Sequence, residues 1–577
     1  MSPFVLPAFV VLICAAPVAA QGESPANGEE VAFSGTFWEL GGSPGAAEAL
    51  FEQMSVQERV AQLFLVGWQG ELPTQEALDW IQTRNLGGIK VFGWNGRSIA
   101  NLTRSIEEFQ TAALDTPHGI PLFTATDQEG GWVRHIRDTT SETPGNMAIG
   151  ASGLPYDSYM SAYYIGKELR AVGINMNFAP TVDVYTNPDA TVIGPRAFSD
   201  DPELTGLLGL AYYRGMEDNG IIATAKHYPG HGNADGDSHG MLPVINDDLD
   251  TLWDRELLPY RMMIPEGLPA ILSGHLAFPT ITGSDRPASI SSFFKTTFLR
   301  EELGFDGIVV TDDLYMGGAL AFGATEGLSF AEICVEAIRA GTDLIMLSET
   351  PAVNGTIFRS VMGAYESDPD FRAIVDAAVV RILKMKYRYL YNSDRVPFAP
   401  RLDDVVDLVP DPEGAEYFRE QAARSVTPIV FPDEPYTPEP GERILLAGRY
   451  RAFFTAAWER YPDAASFTFE GGSFYFSAES DRERLASVVE EYDTLVYCLS
   501  DINTAEVLAS IGDPSTRIIV VSTLTPAYLA DLPAADIAVA VYGRTVDSFR
   551  AGLSAVAGEF EPAGRLPFVL AGADDDS

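Results

Sequence analysis

The chain of 577 residues carries 38 basic against 81 acidic side chains, a formal charge of −43. That balance excludes a surface built for nucleic-acid phosphates or anionic lipid headgroups, both of which need Lys and Arg. The length exceeds what one hydrophobic core organises, and 46% hydrophobic residues supply two or more ordinary cores.

The first element in the chain reads as an export signal. "FVLPAFVVLICAAPVAA" is apolar and ends in small residues before Gln21. It is too short, and too soon followed by polar sequence, to predict a membrane span. The basic residue usual at the start of such a segment is missing. Cleavage after residue 20 is expected, with lipid attachment at Cys14 as the less favoured reading, and residues 21–47 form an extension. The protein is therefore expected to be periplasmic or extracellular, with no membrane span after cleavage.

From 48 to 390 eight short apolar runs alternate with amphipathic stretches. The runs are 62–68, 87–93, 121–127, 174–180, 221–227, 270–278, 307–313 and 342–348. Continuous runs of this kind suit parallel strands buried on both faces. Segments such as "SFAEICVEAIRAG" between them have helical spacing. Eight such units predict an α/β fold, a (β/α)8 TIM-type barrel, with an open doubly wound sheet as the alternative. Asp127 closes the third run, and Lys226 and His227 close the fifth. His275 lies late in the sixth, Asp312 and Asp313 end the seventh, and Ser348 and Glu349 end the eighth. In barrels the strand C-termini and the loops after them build the active site, so these groups are expected on one face.

The loop "KHYPGHGNADGDSHGMLP" (226–243) holds three of the six histidines, His227, His231 and His239. Three readings compete. The histidines with Asp235 and Asp237 offer zinc-type ligands, but no helix is predicted to hold an i, i+4 pair. The loop could simply be a self-bonded polar segment. Or Asp237 and His239, two residues apart, form a proton-transfer dyad in which the carboxylate fixes the imidazole tautomer. Glycines at 230, 232, 236 and 240 would then let the loop move over a substrate.

Residues 391–411 are rich in Pro and Asp and read as a linker. From 412 to 577 a second α/β domain is expected, with strands at "RILLAG", "DTLVYCLS", "RIIVVST", "IAVAVYG" and "LPFVL". Cys334 and Cys498, far apart, are expected as buried free thiols.

The loop also resembles a family signature. "KHYPGHGNADGDSH" is similar to the K-H-[apolar]-P-G-H-G-x4-D-S-H pattern of family 3 glycoside hydrolases, in their β-N-acetylglucosaminidase branch. "TDQEGGWVRHI", "NFAPTVDV", "VIGPRAFSDDP", "FLREELGFDGIVVTDDLYMGGAL" and "GEFEPAGRLPFVL" resemble further blocks in order. The resemblance implies a barrel followed by a C-terminal α/β sandwich domain. It implies a retaining enzyme, exported if the N-terminal segment is the signal it reads as, that removes terminal N-acetylglucosamine from peptidoglycan fragments or chitin oligosaccharides. Asp312 matches the nucleophile, His239 the acid/base and Asp237 its orienting partner. Asp127, Arg196, Lys226 and His227 match sugar-binding positions. No cofactor and no metal are implied. Chemistry alone leaves Asp313 a rival nucleophile. A β-glucosidase or β-xylosidase, a phosphorolytic enzyme, and a non-catalytic sugar-binding barrel stay open as alternatives.

Overall fold

The computed structural model describes residues 35–392, 394–470, 479–512, 515–530 and 535–570. The expected export segment lies outside them. Eight parallel strands form the first sheet: β1 (Phe64–Gly67), β2 (Gly88–Val91), β3 (Phe123–Thr126), β4 (Met176–Asn177), β5 (Ile222–Tyr228), β6 (Ala270–Ser273), β7 (Ile308–Thr311) and β8 (Ile345–Leu347). They pair in chain order, β8 returns to β1, and a parallel bridge between Val310 and Leu344 joins β7 to the start of β8. This is the (β/α)8 barrel, not the open sheet.

Both faces of each strand are packed, which is why the runs are apolar without alternation. Leu65, Phe123, Met176, Ile222, Leu272, Val310 and Met346 fill the interior. Phe64, Val66, Ile89, Ala223, Ile271 and Ile345 meet the surrounding helices. Cys334 and Cys498 are buried free thiols. Among the described residues no single helix is long and apolar enough to cross a membrane.

Two boundaries differ from expectation. The end of the supposed extension is part of the barrel body: Phe37 is fully buried and stacks on Tyr387 at 4.2 Å. The supposed linker contains a helix, Leu402–Leu408, whose Val405 is buried, because its apolar residues fall at helical spacing within an acidic stretch.

The second sheet has six strands: β9 (Thr427–Val430), β10 (Ile444–Gly448), β11 (Ala465–Thr468), β12 (Thr494–Leu499), β13 (Arg517–Thr523) and β14 (Ile537–Tyr542). Their spatial order is β9-β14-β13-β12-β10-β11, and all pairs except β9/β14 are parallel. The segment "LPFVL" is not one of these strands. Its backbone docks on the barrel: Ser199 Oγ donates to Pro567 O at 2.6 Å, and Val569 N donates to Asp200 Oδ2 at 2.9 Å. An ion pair between the buried Asp157 and the partly exposed Arg424 (2.7 Å) fastens the same two domains.

Candidate active site

Asp127, Arg196, Lys226, His227, Asp237, His239 and Asp312 line one cavity of about 850 Å³ at the C-terminal ends of the barrel strands. Asp127 follows β3, Lys226 and His227 lie in β5, and Asp312 follows β7, whose last residue is Thr311. Convergence is therefore a property of the barrel: parallel strands deliver their ends to one face.

The cations and carboxylates of the floor form a relay of pairs. Asp127 is held on one oxygen by Lys226 Nζ and on the other by Lys90 Nζ, each at 2.6 Å. Lys226 also reaches Glu129 Oε1 at 2.5 Å. Arg196 grips Glu129 bidentately, at 2.8 and 3.0 Å, and its NH2 lies 3.0 Å from His227 Nε2. His227 Nδ1 lies 2.7 Å from Asp183 Oδ2. Burial alone would push the Asp127 and Glu129 carboxyls up. Lys226 and Lys90 overcome that for Asp127, and Arg196 and Lys226 for Glu129, which falls to about 2. The result is a set of fixed charges and donors suited to sugar hydroxyls.

Asp312 and Asp313 are adjacent but not equivalent. Asp313 Oδ1 accepts the backbone N–H groups of Ser348 (3.0 Å) and Tyr315 (3.2 Å), which commits it to holding the β8 loop. Among the described residues Asp312 Oδ1 accepts only the backbone N–H of Asp313, at 2.9 Å. Burial raises the Asp313 carboxyl. For Asp312 burial is outweighed by the fields of His275, His227 and His239, so its carboxyl lies below the ordinary 3.8. The geometry separates the two candidates that sequence chemistry left level: Asp312 is the more acidic and less encumbered one.

His239 Nδ1 lies 2.7 Å from Asp237 Oδ1, and the same oxygen accepts the His239 backbone N–H at 2.9 Å. With Nδ1–H turned to the carboxylate, Nε2 is the nitrogen left for proton exchange. The hydrogen bond to Asp237 raises the imidazole above its ordinary 6.5, with burial opposing it and the field of Asp312 adding to it. The pair is half exposed, so a substrate reaches it.

The loop is less free than its glycines imply. A Cβ on Gly232 would lie 1.8 Å from Val184 O, so that glycine permits close backbone packing rather than hinge motion. The far end of the loop is tied to the segment after Asp312. Gly317 N donates to His239 O and Gly318 N to Ser238 O, both at 3.0 Å. These two bonds couple the dyad to the carboxylate it faces. A Cβ on Gly317 would meet His239 O and Gly240 C at 2.7 Å. Gly317→Ala is expected to push the dyad away and lower kcat on poor leaving groups by roughly 10- to 100-fold, as ångström-scale misplacement does. Activated aryl glycosides should suffer much less. Equal loss on both, read in steady-state kinetics, would mean that the tether positions something other than the proton donor.

His227 and His239 are each turned to their own carboxylate, and among the described residues no group of three or more His, Cys, Asp or Glu is arranged to hold a metal ion. Sequence reasoning passed over Lys90, Glu129 and Asp183. Lys90 sits in the run "GGIKVFG", where a fully buried lysine needs a buried anion, and that was the available signal. Asp501, Ile502 and Tyr528 of the second domain also line the cavity, and only tertiary structure brings them there.

A barrel with a relay of paired charges on its floor, an ionised aspartate and a tethered Asp–His dyad defines a glycoside hydrolase. Residues 55–385 match the model described as Glycosyl hydrolase family 3 N terminal domain. The chain belongs to that family. It is 37% identical over 345 residues to Beta-hexosaminidase A of Pseudoalteromonas piscicida, covering 56% of this chain and 57% of that protein. It is 34% identical over 279 residues to a Beta-hexosaminidase of Methylococcus capsulatus, covering 48% and 79%. The structure of a glycoside hydrolase family 3 beta-N-acetylglucosaminidase from Paenibacillus sp. str. FPU-7 superposes with a TM-score of 0.80 at 29% identity, over 90% of this chain and 99% of that one. A beta-glucoside phosphorylase at 20% identity and TM-score 0.76 shares the fold alone.

Proposed function

We propose that the protein is an exported retaining β-N-acetylglucosaminidase acting on terminal β-linked N-acetylglucosamine of peptidoglycan fragments or chitin oligosaccharides. The observation that carries the reading is the Asp237–His239 dyad tethered to the segment that follows Asp312. Asp312 attacks the anomeric carbon while His239 Nε2 protonates the leaving oxygen, giving a glycosyl-enzyme. The now neutral imidazole takes a proton from water, which attacks the same carbon and releases the sugar. Asp237 keeps the tautomer and supports the imidazolium. Lys226, Arg196, His227 and Asp127 hold the sugar hydroxyls. The names of the Pseudoalteromonas and Paenibacillus relatives agree with this specificity.

Kinetics on an aryl N-acetyl-β-glucosaminide and the matching glucoside test the reading. The first should win in kcat/KM by at least roughly 100-fold, the upper part of the range that one methylene-sized contact supplies. Preference for the glucoside or xyloside would replace the assignment within the family. Sugar 1-phosphate as the main product in phosphate buffer would make the enzyme phosphorolytic.

The pH profile has a worked sign. Glycosylation needs Asp312 ionised and His239 protonated. With Asp312 held below 3.8 and His239 raised above 6.5, kcat/KM on a poor leaving group should fall at acid pH below 3.8 and at basic pH above 6.5. An aryl glycoside with a very acidic phenol should lose the basic limb. A basic limb of equal size on both substrates would assign it to another group.

A further inference from the structure

The second domain turns the C-terminal ends of its strands toward the barrel face. Its strand order reverses between β10 and β12, and open α/β sheets bind ligands in the crevice at such a reversal. Arg449, just after β10, and Asp501, just after β12, span that crevice with a 2.7 Å ion pair. Beside it lies a separate cavity of about 250 Å³ at the seam of the two domains. The barrel contributes Arg134 and Arg137, and the second domain contributes Arg451 and Arg544.

Four arginines and one carboxylate, Glu142, line this cavity, so four minus one leaves a local charge of +3; Glu142 lies 3.3 Å from Arg134, whose NH1 donates to the carbonyls of Thr140 and Ser141. The chain as a whole carries −43. Among the described residues Arg137, Arg451 and Arg544 have no carboxylate partner. Arg137 Nε donates to the carbonyl of Arg134 at 2.7 Å and leaves its other donors for the cavity. The helix Arg451–Arg460 begins here without a side-chain cap and without an acidic residue in its first turn, which adds to the positive field. Arg137 and Arg451 are exposed and Arg134 and Arg544 half-buried, so water screens the repulsion of these like charges only in part. An oxyanion removes that repulsion and meets the planar donor forks of arginine.

Trp132, Arg134 and Arg137 line both this cavity and the catalytic one. The two cavities are therefore neighbours with a common wall, and a sugar chain whose terminal residue lies against Asp312 would extend along that wall toward the arginines. We propose that the seam cavity is an oxyanion-binding site that takes a carboxylate, sulfate or phosphate ester carried on the leaving-group side of the substrate. The assignment of the anion to the aglycone rests on the catalytic reading above, whereas the existence of the site does not.

The test uses the full chain and the double variant R451Q/R544Q at low ionic strength. Neither residue lines the catalytic cavity. Calorimetry with sodium sulfate reads the site directly, and affinity should fall at least roughly tenfold in the variant, as loss of charge-assisted bonds implies. In parallel, kcat/KM is measured on an N-acetylglucosaminyl disaccharide bearing a carboxylate on the reducing sugar and on its methyl ester. The wild type should prefer the acid by a similar factor, the variant should not, and an aryl N-acetylglucosaminide should be turned over equally by both proteins. Sulfate binding that depends on the two arginines without any preference for the acid supports the site with a free anion as its ligand. Sulfate binding that is absent, or identical in the two proteins, together with an unchanged acid-to-ester ratio, overturns the proposal. A wild type inactive on every glycoside would sink the catalytic reading and leave the calorimetric result to stand alone.

Discussion

Asp312→Ala should reduce turnover by roughly 10⁴-fold or more, the scale on which loss of a nucleophile costs an enzyme its covalent route. No neighbouring carboxylate substitutes for it, because Asp313 is occupied with the backbone N–H groups of Ser348 and Tyr315. Asp313→Asn keeps an acceptor oxygen at that place, so the β8 loop should stay in position and substantial activity should remain. The pair of variants is the informative unit. Steady-state kinetics and a circular-dichroism melt on each separate loss of chemistry from loss of fold. An inactive Asp313→Asn beside an active Asp312→Ala would exchange the two roles.

The barrel was legible because its strands are buried on both faces. All eight apolar runs became strands, and their order needed no long-range information beyond the βα alternation. The edge strands of the second domain were not legible for the converse reason. Thr427–Val430 and Ala465–Thr468 are partly exposed, and the first contains Pro428, so neither presents a run. "LPFVL" misled because Phe568 is buried in a cluster shared by barrel residues such as Tyr185 and by Ala540 and Tyr542 of β14, not by pairing as a strand. Within the site, ionisable residues at strand ends were readable from position alone. Their partners were not: Glu129 and Asp183 look like ordinary loop carboxylates until Arg196 and His227 are seen against them. The tether from Gly317 and Gly318 to the dyad loop joins segments separated by nearly eighty residues, and no local pattern announces it. The glycines at 230 and 232 suggested mobility because a sequence shows the missing side chain and not the Glu256 side chain and Val184 backbone that pack against those two positions.

The account stands on His239 as the group that moves the proton, and pre-steady-state kinetics of His239→Ala test it most directly. An aryl N-acetylglucosaminide with a very good leaving group needs little protonation, so its first step should survive nearly intact. Water still needs a base in the second step, so the glycosyl-enzyme should accumulate and aryl release should show a burst. A poor leaving group should lose rate in the first step by roughly 10²- to 10⁴-fold, the range of general acid catalysis, and show no burst. Azide, which attacks without a base, should restore turnover of the good substrate and yield the glycosyl azide with retained configuration. Asp237→Ala should give a weaker form of the same pattern, since the imidazole remains without its 2.7 Å partner. Equal slowing of good and poor leaving groups, with no burst and no azide product, would contradict the account and make His239 a binding residue.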